Sequence, residues 1–475
     1  MNFPITLLFS FSGLLVFIIV LCAMVTIHEF GHFIVAKWLG IPAEVFSVGF
    51  GKRLWGFDWG GTDFRISALP LGGYVRFRGE NMEMIQGKGE GSVEEFLAHA
   101  KWKRFLVALA GPAFNIITAI AIPTTAIMIG YHEDISWSQQ IVIGDVKPGS
   151  AAEQSGLKTG DRIVSYHDKA NPTWADFDDE IKIHPNETIP LVVERNGQTS
   201  NLTAQIRSEK TKDGEEYGTL DVEPILNGLG VSSITPDSAA AAAGLKPGDK
   251  IMEINGVAVT VFRKFKEALN DSKGEEVTLK IARGQQLLDL KAKPKKDVQF
   301  NEYRLGFAPK NTALVQTSSL TAALAFGWKY NWRIIRLTGI VFKQIFAGQR
   351  SARTSVAGPI GMAKQVSDIF DVAGWAGVIN MMGLLSMNLG VMNLLPIPVL
   401  DGGMIVLIFV EALLGLVGMT LTMNIRERLQ QVGFVALMAL MLFVFANDIL
   451  RILPFGKSSE AAPATQTAPA PQTGK

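Results

Sequence analysis

The chain has little cysteine and almost no net charge. Its single cysteine, Cys22, excludes an intrachain disulfide. Its 45 basic and 44 acidic residues leave a net charge of +1, which gives no indication of a nucleic-acid partner. No charged residue occurs from Met1 to Ile27, and a long apolar run without a basic start is not typical of a cleavable signal peptide.

Apolar residues are abundant: they make up 48% of the chain, and the mean hydropathy is +0.23. A chain of 475 residues with this composition is too apolar for an ordinary soluble protein and too polar for membrane spans alone. Four stretches predict spans, at about 7–36, 105–129, 374–395 and 432–450. A fifth, 404–423, is long enough to cross, but we expect it to lie in or against the bilayer.

Basic residues orient the predicted spans, because cytoplasmic loops are rich in Lys and Arg. Lys37, Lys52 and Arg53 follow the first span, and the basic cluster 101–104 opens the second. Residues 38–104 are therefore expected on the cytoplasmic side. The N-terminus and the long segment between the second and third spans are expected on the outer side.

The stretch His28-Glu29-Phe30-Gly31-His32 lies at the inner end of the first span. On a helix, residues four apart share a face, so both imidazoles can reach one metal ion with the glutamate beside it. A helix-cap or interface role is the alternative. Each charged group near the centre of a span costs about 2.5–3.5 kcal/mol on insertion scales, which favours a catalytic metal site.

A catalytic zinc usually has three protein ligands and one open position, so a third ligand is expected from a distant part of the chain. Asp401 is favoured because Pro396 and Pro398 end the third span just before it. Irregular backbone at membrane depth is tolerated only where it lines a cavity. The full set of acidic candidates is Asp368, Asp371, Asp401, Glu411 and Asp448.

The long outer segment contains an internal repeat. Residues 147–161 align with residues 235–249 at an offset of 88. Their pattern, S-A-A-x-x-x-G-L-x-x-G-D-x-I, resembles PDZ domains of bacterial proteases, which bind chain ends by strand addition. In the second copy Gly228, Leu229 and Gly230 could bind a carboxylate; a purely steric role for both copies is the alternative.

Residues 325–347 carry basic side chains at helical spacing together with large apolar ones. This pattern predicts a helix that lies at the membrane surface or, alternatively, packs on the PDZ pair.

Two motifs far apart in the sequence resemble those of the site-2 protease family of intramembrane metalloproteases. They are the His28 to His32 motif and Asn393-x-x-Pro-x-Pro-x-Leu-Asp401-Gly-Gly. The likeness runs from about residue 7 to 452. It also includes 69–75, Gly111-Pro112-x-x-Asn115 and Gly358-Pro359. The resemblance implies an α-helical polytopic membrane protein with four transmembrane helices, a membrane-dipping β-hairpin and two inserted α+β PDZ domains.

The resemblance also implies roles for individual residues. His28, His32 and Asp401 match the ligands of one Zn²⁺ per chain, and Glu29 matches the general base. Asn393 matches an asparagine that holds the substrate backbone or the developing oxyanion, although a contact between helices is an equal alternative. We expect the remaining span asparagines to be structural: Asn115, Asn380 and Asn388.

The hairpin is expected to bind substrate, because a transmembrane helix must unwind before its peptide bonds can be cut. An exposed hairpin edge could then pair with the unwound chain as an added strand. The candidate substrate contacts are Leu69, Gly72, Gly73 and Tyr74.

The function implied is an intramembrane zinc endopeptidase of the bacterial inner membrane. Its expected substrates are single-span proteins, namely a transmembrane anti-sigma factor already trimmed by a first protease in the envelope stress response, and remnant signal peptides. The PDZ domains are expected in the periplasm and the active site in the bilayer near the cytoplasm. The alternatives are a non-enzymatic scaffold that docks C-termini and a metal transporter, for which no repeat of the spans is evident.

In chain order, the predicted segments are the first span with its motif at 1–37, the cytoplasmic and hairpin region at 38–104, the second span at 105–131, PDZ domains at 132–225 and 226–308, an interfacial amphipathic helix region at 309–373, the third span at 374–403, a membrane-associated or cytoplasmic segment at 404–431, the fourth span at 432–452 and a disordered tail at 453–475.

Overall fold

The computed structural model describes residues 11–78, 96–134, 139–167, 169–210, 216–297, 302–309, 312–351, 355, 358–419 and 423–452. The predicted disordered tail lies outside these residues. The chain divides into two compact units. The first comprises Met1–Thr118 with Ser355–Lys475, and the second comprises Ala119–Thr354.

The helices are α1 (Phe11–Trp38), α2 (Lys101–Ile129), α3 (Ala151–Gln154), α4 (Trp174–Ile183), α5 (Ala239–Ala242), α6 (Phe262–Asp271), α7 (Leu320–Phe346), α8 (Pro359–Asn393), α9 (Asp401–Leu416) and α10 (Met423–Ile452).

The strands are β1 (Ala43–Trp59), β2 (Thr62–Phe77), β3 (Tyr131–Asp134), β4 (Ile143–Val146), β5 (Arg162–Tyr166), β6 (Lys169–Ala170), β7 (Thr188–Arg195), β8 (Gln198–Gln205), β9 (Arg207–Lys210), β10 (Glu216–Thr219), β11 (Val222–Pro224), β12 (Leu229–Ile234), β13 (Lys250–Ile254), β14 (Val257–Ala258), β15 (Val277–Arg283), β16 (Gln286–Ala292), β17 (Lys295–Asp297), β18 (Glu302–Arg304), β19 (Phe307–Pro309) and β20 (Thr312–Val315).

Among the described residues, four helical segments are long and apolar enough to cross a membrane. They are Ser12–Trp38, Lys101–Ile129, Ala373–Asn393 and Arg428–Leu450. Helix α9 is not one of them: its 16 residues extend about 24 Å, which is less than the roughly 30 Å of a hydrocarbon core. The prediction of four spans is therefore confirmed at the level of length and composition.

Gly374 divides α8 into two arms, since its φ of +58° and ψ of −153° are not helical. The first arm begins at Pro359. Asp448 of α10 binds the backbone N–H groups at this end that have no partner within the helix. The Asp448 carboxylate accepts hydrogen bonds of 3.0 Å from the backbone N–H groups of Gly358, Ile360 and Gly361. Asp448 therefore caps α8, as expected for a carboxylate at a helix N-terminus.

Strands β1 and β2 form an antiparallel pair that turns at Gly60 and Gly61, both with positive φ. The base of the pair packs on α1 and α2 through a buried apolar cluster that includes Phe33, Phe46 and Phe77. The second half of β1 exposes large apolar side chains instead, namely Leu54, Trp55, Phe57 and Trp59.

The second unit contains two α/β modules built from the repeated sequence. In the first, a sheet with strand order β6-β5-β7-β8 packs on α4; in the second, the order β16-β15-β13-β12-β19 packs on α6. Matching serines, Ser150 and Ser238, cap matching short helices, and each side-chain oxygen accepts a 3.2 Å hydrogen bond from the backbone three residues later. The repeat thus gives the same local structure twice.

A buried ion pair is also repeated. Arg195 donates two hydrogen bonds to Asp161, at 2.6 and 2.7 Å, and Arg283 does the same to Asp249 at 2.7 Å each. Burial by itself would raise the pKa of Asp161, but hydrogen bonds from Arg195 and the Lys158 backbone hold it below its usual value. A lowered folded-state pKa stabilises the fold above about pH 4, and this contribution is lost as the pH falls through the folded-state pKa.

Replacing Asp161 by Asn is expected to destabilise the first module by about 1.5–3 kcal/mol, the value of hydrogen bonds to a charged group. Hydrogen exchange of the peptides that contain β5 and β7 would measure this as faster local opening. The difference from wild type should begin to shrink below about pH 4 and disappear only below the lowered folded-state pKa, where the wild-type carboxylate is protonated as well. Asp178→Asn is the matched control: its i,i+4 pair with Lys182 is exposed and should contribute under about 0.5 kcal/mol. Equal exchange in both variants would contradict the prediction.

Helix α7 packs on the first module. Arg333 pairs with Asp179, Arg336 lies 3.6 Å from Glu180, and the Gln344 side chain donates a 2.6 Å hydrogen bond to the Ile183 carbonyl. The packed alternative predicted for this helix therefore has direct contacts. Trp328 and Trp332 nonetheless stack on each other at the surface, and contact with a membrane stays a prediction.

Candidate active site

Helices α1 and α2 approach closely at two glycines. A Cβ atom at Gly31 would lie 2.5 Å from the Ala110 carbonyl oxygen. A Cβ atom at Gly111 would lie 2.3 Å from Nε2 of His32 and 2.8 Å from Cε1 of His28. Both distances are far below van der Waals contact, so only glycine lets the two imidazoles lie against the α2 backbone.

The turn between α8 and α9 places Asp401 at the first position of α9. Val399 has a φ of +91°, an unusual value for a β-branched residue and a sign of local strain. A Cβ atom at Gly402 would lie 2.3 Å from the Leu394 carbonyl oxygen, and one at Gly403 would lie 2.3 Å from that of Ile397. The glycine pair therefore allows the turn to fold back tightly onto the start of α9.

The structure brings the three predicted ligands together. His28 Nε2 lies 3.0 Å from Oδ2 of Asp401, His32 Nε2 lies 3.4 Å from Oδ1, and the two Nε2 atoms are 3.2 Å apart. Ligands about 2.0–2.1 Å from a tetrahedral zinc ion lie about 3.3 Å from one another. The two Nε2 atoms and the Asp401 carboxylate beside them therefore fit such an ion. The two imidazoles are buried. Oδ2 of Asp401 is also buried, and it accepts no hydrogen bond from the described residues.

The other acidic candidates are engaged or exposed. Asp368 and Asp371 are exposed on α8, and Asp448 caps that helix. Glu411 pairs with Arg104 of α2 at 2.9 Å and with Arg426 of α10 at 2.8 Å. Among the acidic candidates, Asp401 therefore has the geometry of a ligand.

Glu29 lies beside the three ligands and is held by the hairpin. Its Oε2 accepts a 2.9 Å hydrogen bond from the backbone N–H of Val75, near the end of β2. Glu29 and the ligands line a cavity of about 290 Å³, which is also lined by Val75, Asn393 and Met404. The Asn393 amide nitrogen is 3.3 Å from His28 Nε2, so this side chain reaches the same space.

The proposed substrate contacts of the hairpin lie outside this cavity. Gly72 and Gly73 pack near Val25 and Thr26 of α1, Tyr74 stacks on Phe50, and Leu69 is exposed. Their role in binding a substrate remains a prediction.

Two contacts to the ligands and one to Glu29 were not predicted from the sequence. Nδ1 of His32 donates a 2.7 Å hydrogen bond to the Val107 carbonyl, Asn115 contacts Nδ1 of His28, and the Val75 backbone contacts Glu29. The spacing of Gly111 and Asn115 was the available signal, because residues four apart on α2 face the same side.

The residues predicted to bind a carboxylate in the PDZ groove do not line the groove found in the second module. Gly228 directly precedes β12, and Leu229 and Gly230 belong to it. Strand β12 is paired with β13 on one side and β19 on the other, so it has no free edge for an added strand.

An apolar groove of about 600 Å³ instead lies between α6 and residues 295–297 and 302–309. Its lining includes Phe262, Phe265 and Leu269 of α6 and Phe307 of β19, the last strand of its sheet. In the first module β10 approaches α4 closely: a Cβ atom at Gly218 would lie 2.1 Å from the Ile181 carbonyl oxygen.

The chain is similar over most of its length to one group of peptidases. The sequence profile described as "Peptidase family M50" matches residues 16–440. "Protease RseP" of Yersinia pestis is 31% identical over 467 residues, which cover 93% of this chain and 99% of the relative. "Regulator of sigma-E protease RseP" of Salmonella typhimurium is 29% identical and covers 93% and 99%. A Vibrio cholerae protein with the name "Putative zinc metalloprotease" is 28% identical and covers 92% and 98%.

Proposed function

Because the chain belongs to peptidase family M50 and is a zinc metalloprotease, we propose that it cleaves single-span membrane proteins within the bilayer. The observation that carries the proposal is the grouping of His28, His32 and Asp401 beside Glu29. Two of these residues come from a helix apolar enough to span a membrane, and the third follows another such helix.

His28, His32 and Asp401 would hold the zinc ion. When bound in such a site, zinc polarises the scissile carbonyl and makes water a nucleophile near neutral pH. Glu29 accepts the proton from the attacking water and passes it to the leaving amine. The Val75 N–H fixes one Glu29 oxygen and leaves the other for this transfer.

Asn393 and the hairpin would hold the substrate. The Asn393 amide lines the cavity at hydrogen-bond distance from the ligands, where it can donate to a peptide carbonyl. Residues 45–48 of β1 pair on both sides, with 63–66 and with 73–76 of β2, so residues 73–76 lie at an outer edge that an unwound segment could join. Gly72, Gly73 and Tyr74 precede Val75 and would extend that binding surface from the base of the hairpin.

The substrate class proposed is a transmembrane anti-sigma factor after a first cleavage, with remnant signal peptides as a second class. The sigma-E regulators among the relatives support it. We place the protein in the bacterial inner membrane, with both repeat modules in the periplasm. His28 lies nine residues before Lys37, about 13 Å along α1, which favours an active site near the cytoplasmic side.

Both repeat modules are proposed to be PDZ domains, the second with an open groove. Its apolar lining and the end position of β19 suit an extended C-terminal segment with apolar side chains. The close approach of β10 to α4 in the first module favours a structural role for that copy.

Removal of the metal tests the proposed function directly. Cleavage of a single-span model substrate by the purified protein is expected to stop after treatment with a chelator and to return on addition of zinc, because two imidazoles and a carboxylate bind zinc well. Magnesium is the control, since it prefers oxygen ligands and should not restore cleavage. Cleavage that persists in the metal-free protein would overturn the proposal.

A further inference from the structure

Asn115 lies behind His28, at the ring nitrogen that does not face Asp401. Its amide is 3.1 Å from His28 Nδ1, and the residue is fully buried. We infer that Asn115 is a positioning residue that determines which nitrogen of His28 carries the proton, with its amide oxygen toward Nδ1 when metal is bound. The inference rests on the proposed function, since it concerns how one ligand is prepared for the metal.

His32 shows what a metal ligand requires. Its Nδ1 lies 2.7 Å from the Val107 carbonyl oxygen, which can only accept a hydrogen bond. Nδ1 must therefore carry the proton, and Nε2 keeps the lone pair that binds metal. His28 faces the ligand group with the same nitrogen, Nε2, so its Nδ1 also needs an acceptor behind it.

Asn115 can supply either a donor or an acceptor, because rotation of the amide by 180° exchanges oxygen and nitrogen. With the nitrogen toward His28, Nδ1 has to accept a hydrogen bond, so the neutral ring carries its proton on Nε2, the atom that faces Asp401. A protonated Nε2 cannot bind metal. With the oxygen toward His28, Nδ1 donates and Nε2 is free.

Ser386 of α8 can serve both orientations. Its hydroxyl donates to the Asn115 carbonyl at 3.0 Å and lies 3.4 Å from the Asn115 side-chain oxygen. After rotation the amide nitrogen takes that position and can donate to the hydroxyl oxygen. His28, Asn115 and Ser386 then form a chain in which each donor meets an acceptor, as the surroundings of a ligating histidine generally require.

Zinc affinity of the purified full-length protein, measured by competition with a chelating dye, tests this inference. Asn115→Leu is expected to weaken binding by about 10–100-fold, the usual loss when a ligand's supporting hydrogen bond is removed. Asn115→Asp is expected to bind zinc at least as tightly as wild type, because a carboxylate can only accept from Nδ1. A residue that only fills space would give the opposite order, since leucine has a similar volume and aspartate buries a charge.

Asn331→Leu is the matched control. Asn331 belongs to the second unit and is equally buried. It donates hydrogen bonds of 2.9 and 2.8 Å to the carbonyls of Ala119 and Gly327 of the same unit. Its replacement should leave zinc affinity unchanged. Tight zinc binding by Asn115→Leu beside tight binding by wild type would overturn the inference alone, whereas a wild-type protein without zinc affinity would overturn the proposed function.

Ser386→Ala decides the matter if Asn115→Leu does not fold. This change removes one hydroxyl and is expected to weaken zinc binding about 3–10-fold, the effect of one hydrogen bond. Wild-type affinity in Ser386→Ala would then overturn the inference.

Discussion

Replacing Glu29 by Gln is expected to slow peptide hydrolysis by about 10²–10⁴-fold, the usual contribution of a general base, while zinc stays bound. Glutamine has nearly the same shape, and its amide oxygen can still accept the hydrogen bond from Val75. It cannot take a proton from water at neutral pH. Cleavage of a single-span substrate by the purified variant, with zinc content measured on the same sample, gives both quantities.

Glu44→Gln is the matched control for this change. Glu44 belongs to β1 and lies 3.3 Å from Arg76 and 3.5 Å from Arg78, in a partly exposed group of charges. Its replacement should change the rate less than about twofold, because exposed ion pairs contribute little. If Glu29→Gln cleaved as fast as wild type, Glu29 would not be the general base.

Replacing Asp401 by Ala is expected to weaken zinc binding by more than about 100-fold and to abolish cleavage. Loss of a ligand should cost more than the 10–100-fold loss seen when only its supporting contacts are removed. Two imidazoles 3.2 Å apart would remain without the carboxylate that completes the set. Equilibrium dialysis against buffered zinc measures the affinity, and the same samples are assayed for cleavage.

Asp371→Ala distinguishes the loss of a ligand from the loss of an acidic residue. Asp371 is an exposed carboxylate on α8 and was another candidate from the sequence. Its zinc content and cleavage rate should match those of wild type. Zinc retained at full affinity in Asp401→Ala would show that the histidine pair recruits a different third ligand.

The features that could be predicted from the sequence are those with a local cause. A run of apolar residues reveals a span wherever it lies, and four such runs became helices of sufficient length and hydropathy. The spacing of His28 and His32 places both on one helical face without knowledge of the fold. Asp401 was favoured because prolines and glycines break the helix around it, and the structure has the same break.

The features that were not predicted depend on contacts between distant segments. The spacing of Gly111 and Asn115 shows only that both face one side of α2, and the contact with an imidazole 87 residues earlier depends on how α1 packs there. The hydrogen bond between Val75 and Glu29 depends on where the hairpin packs against α1. In the second module, β12 lies inside the sheet and β19 lies at one end of it, an order that the local glycine pattern could not reveal; the binding of a chain end at these glycines stays a prediction.

The close approach of α1 and α2 at Gly31 and Gly111 restricts the routes by which a polypeptide can enter. Neither glycine has room for a methyl group, so the two helices pack too closely there for a polypeptide to pass between them. Entry must occur on the other side of the imidazoles, where Val75, Asn393 and Met404 border the cavity. We therefore expect a peptide to enter past the hairpin, the end of α8 or the start of α9.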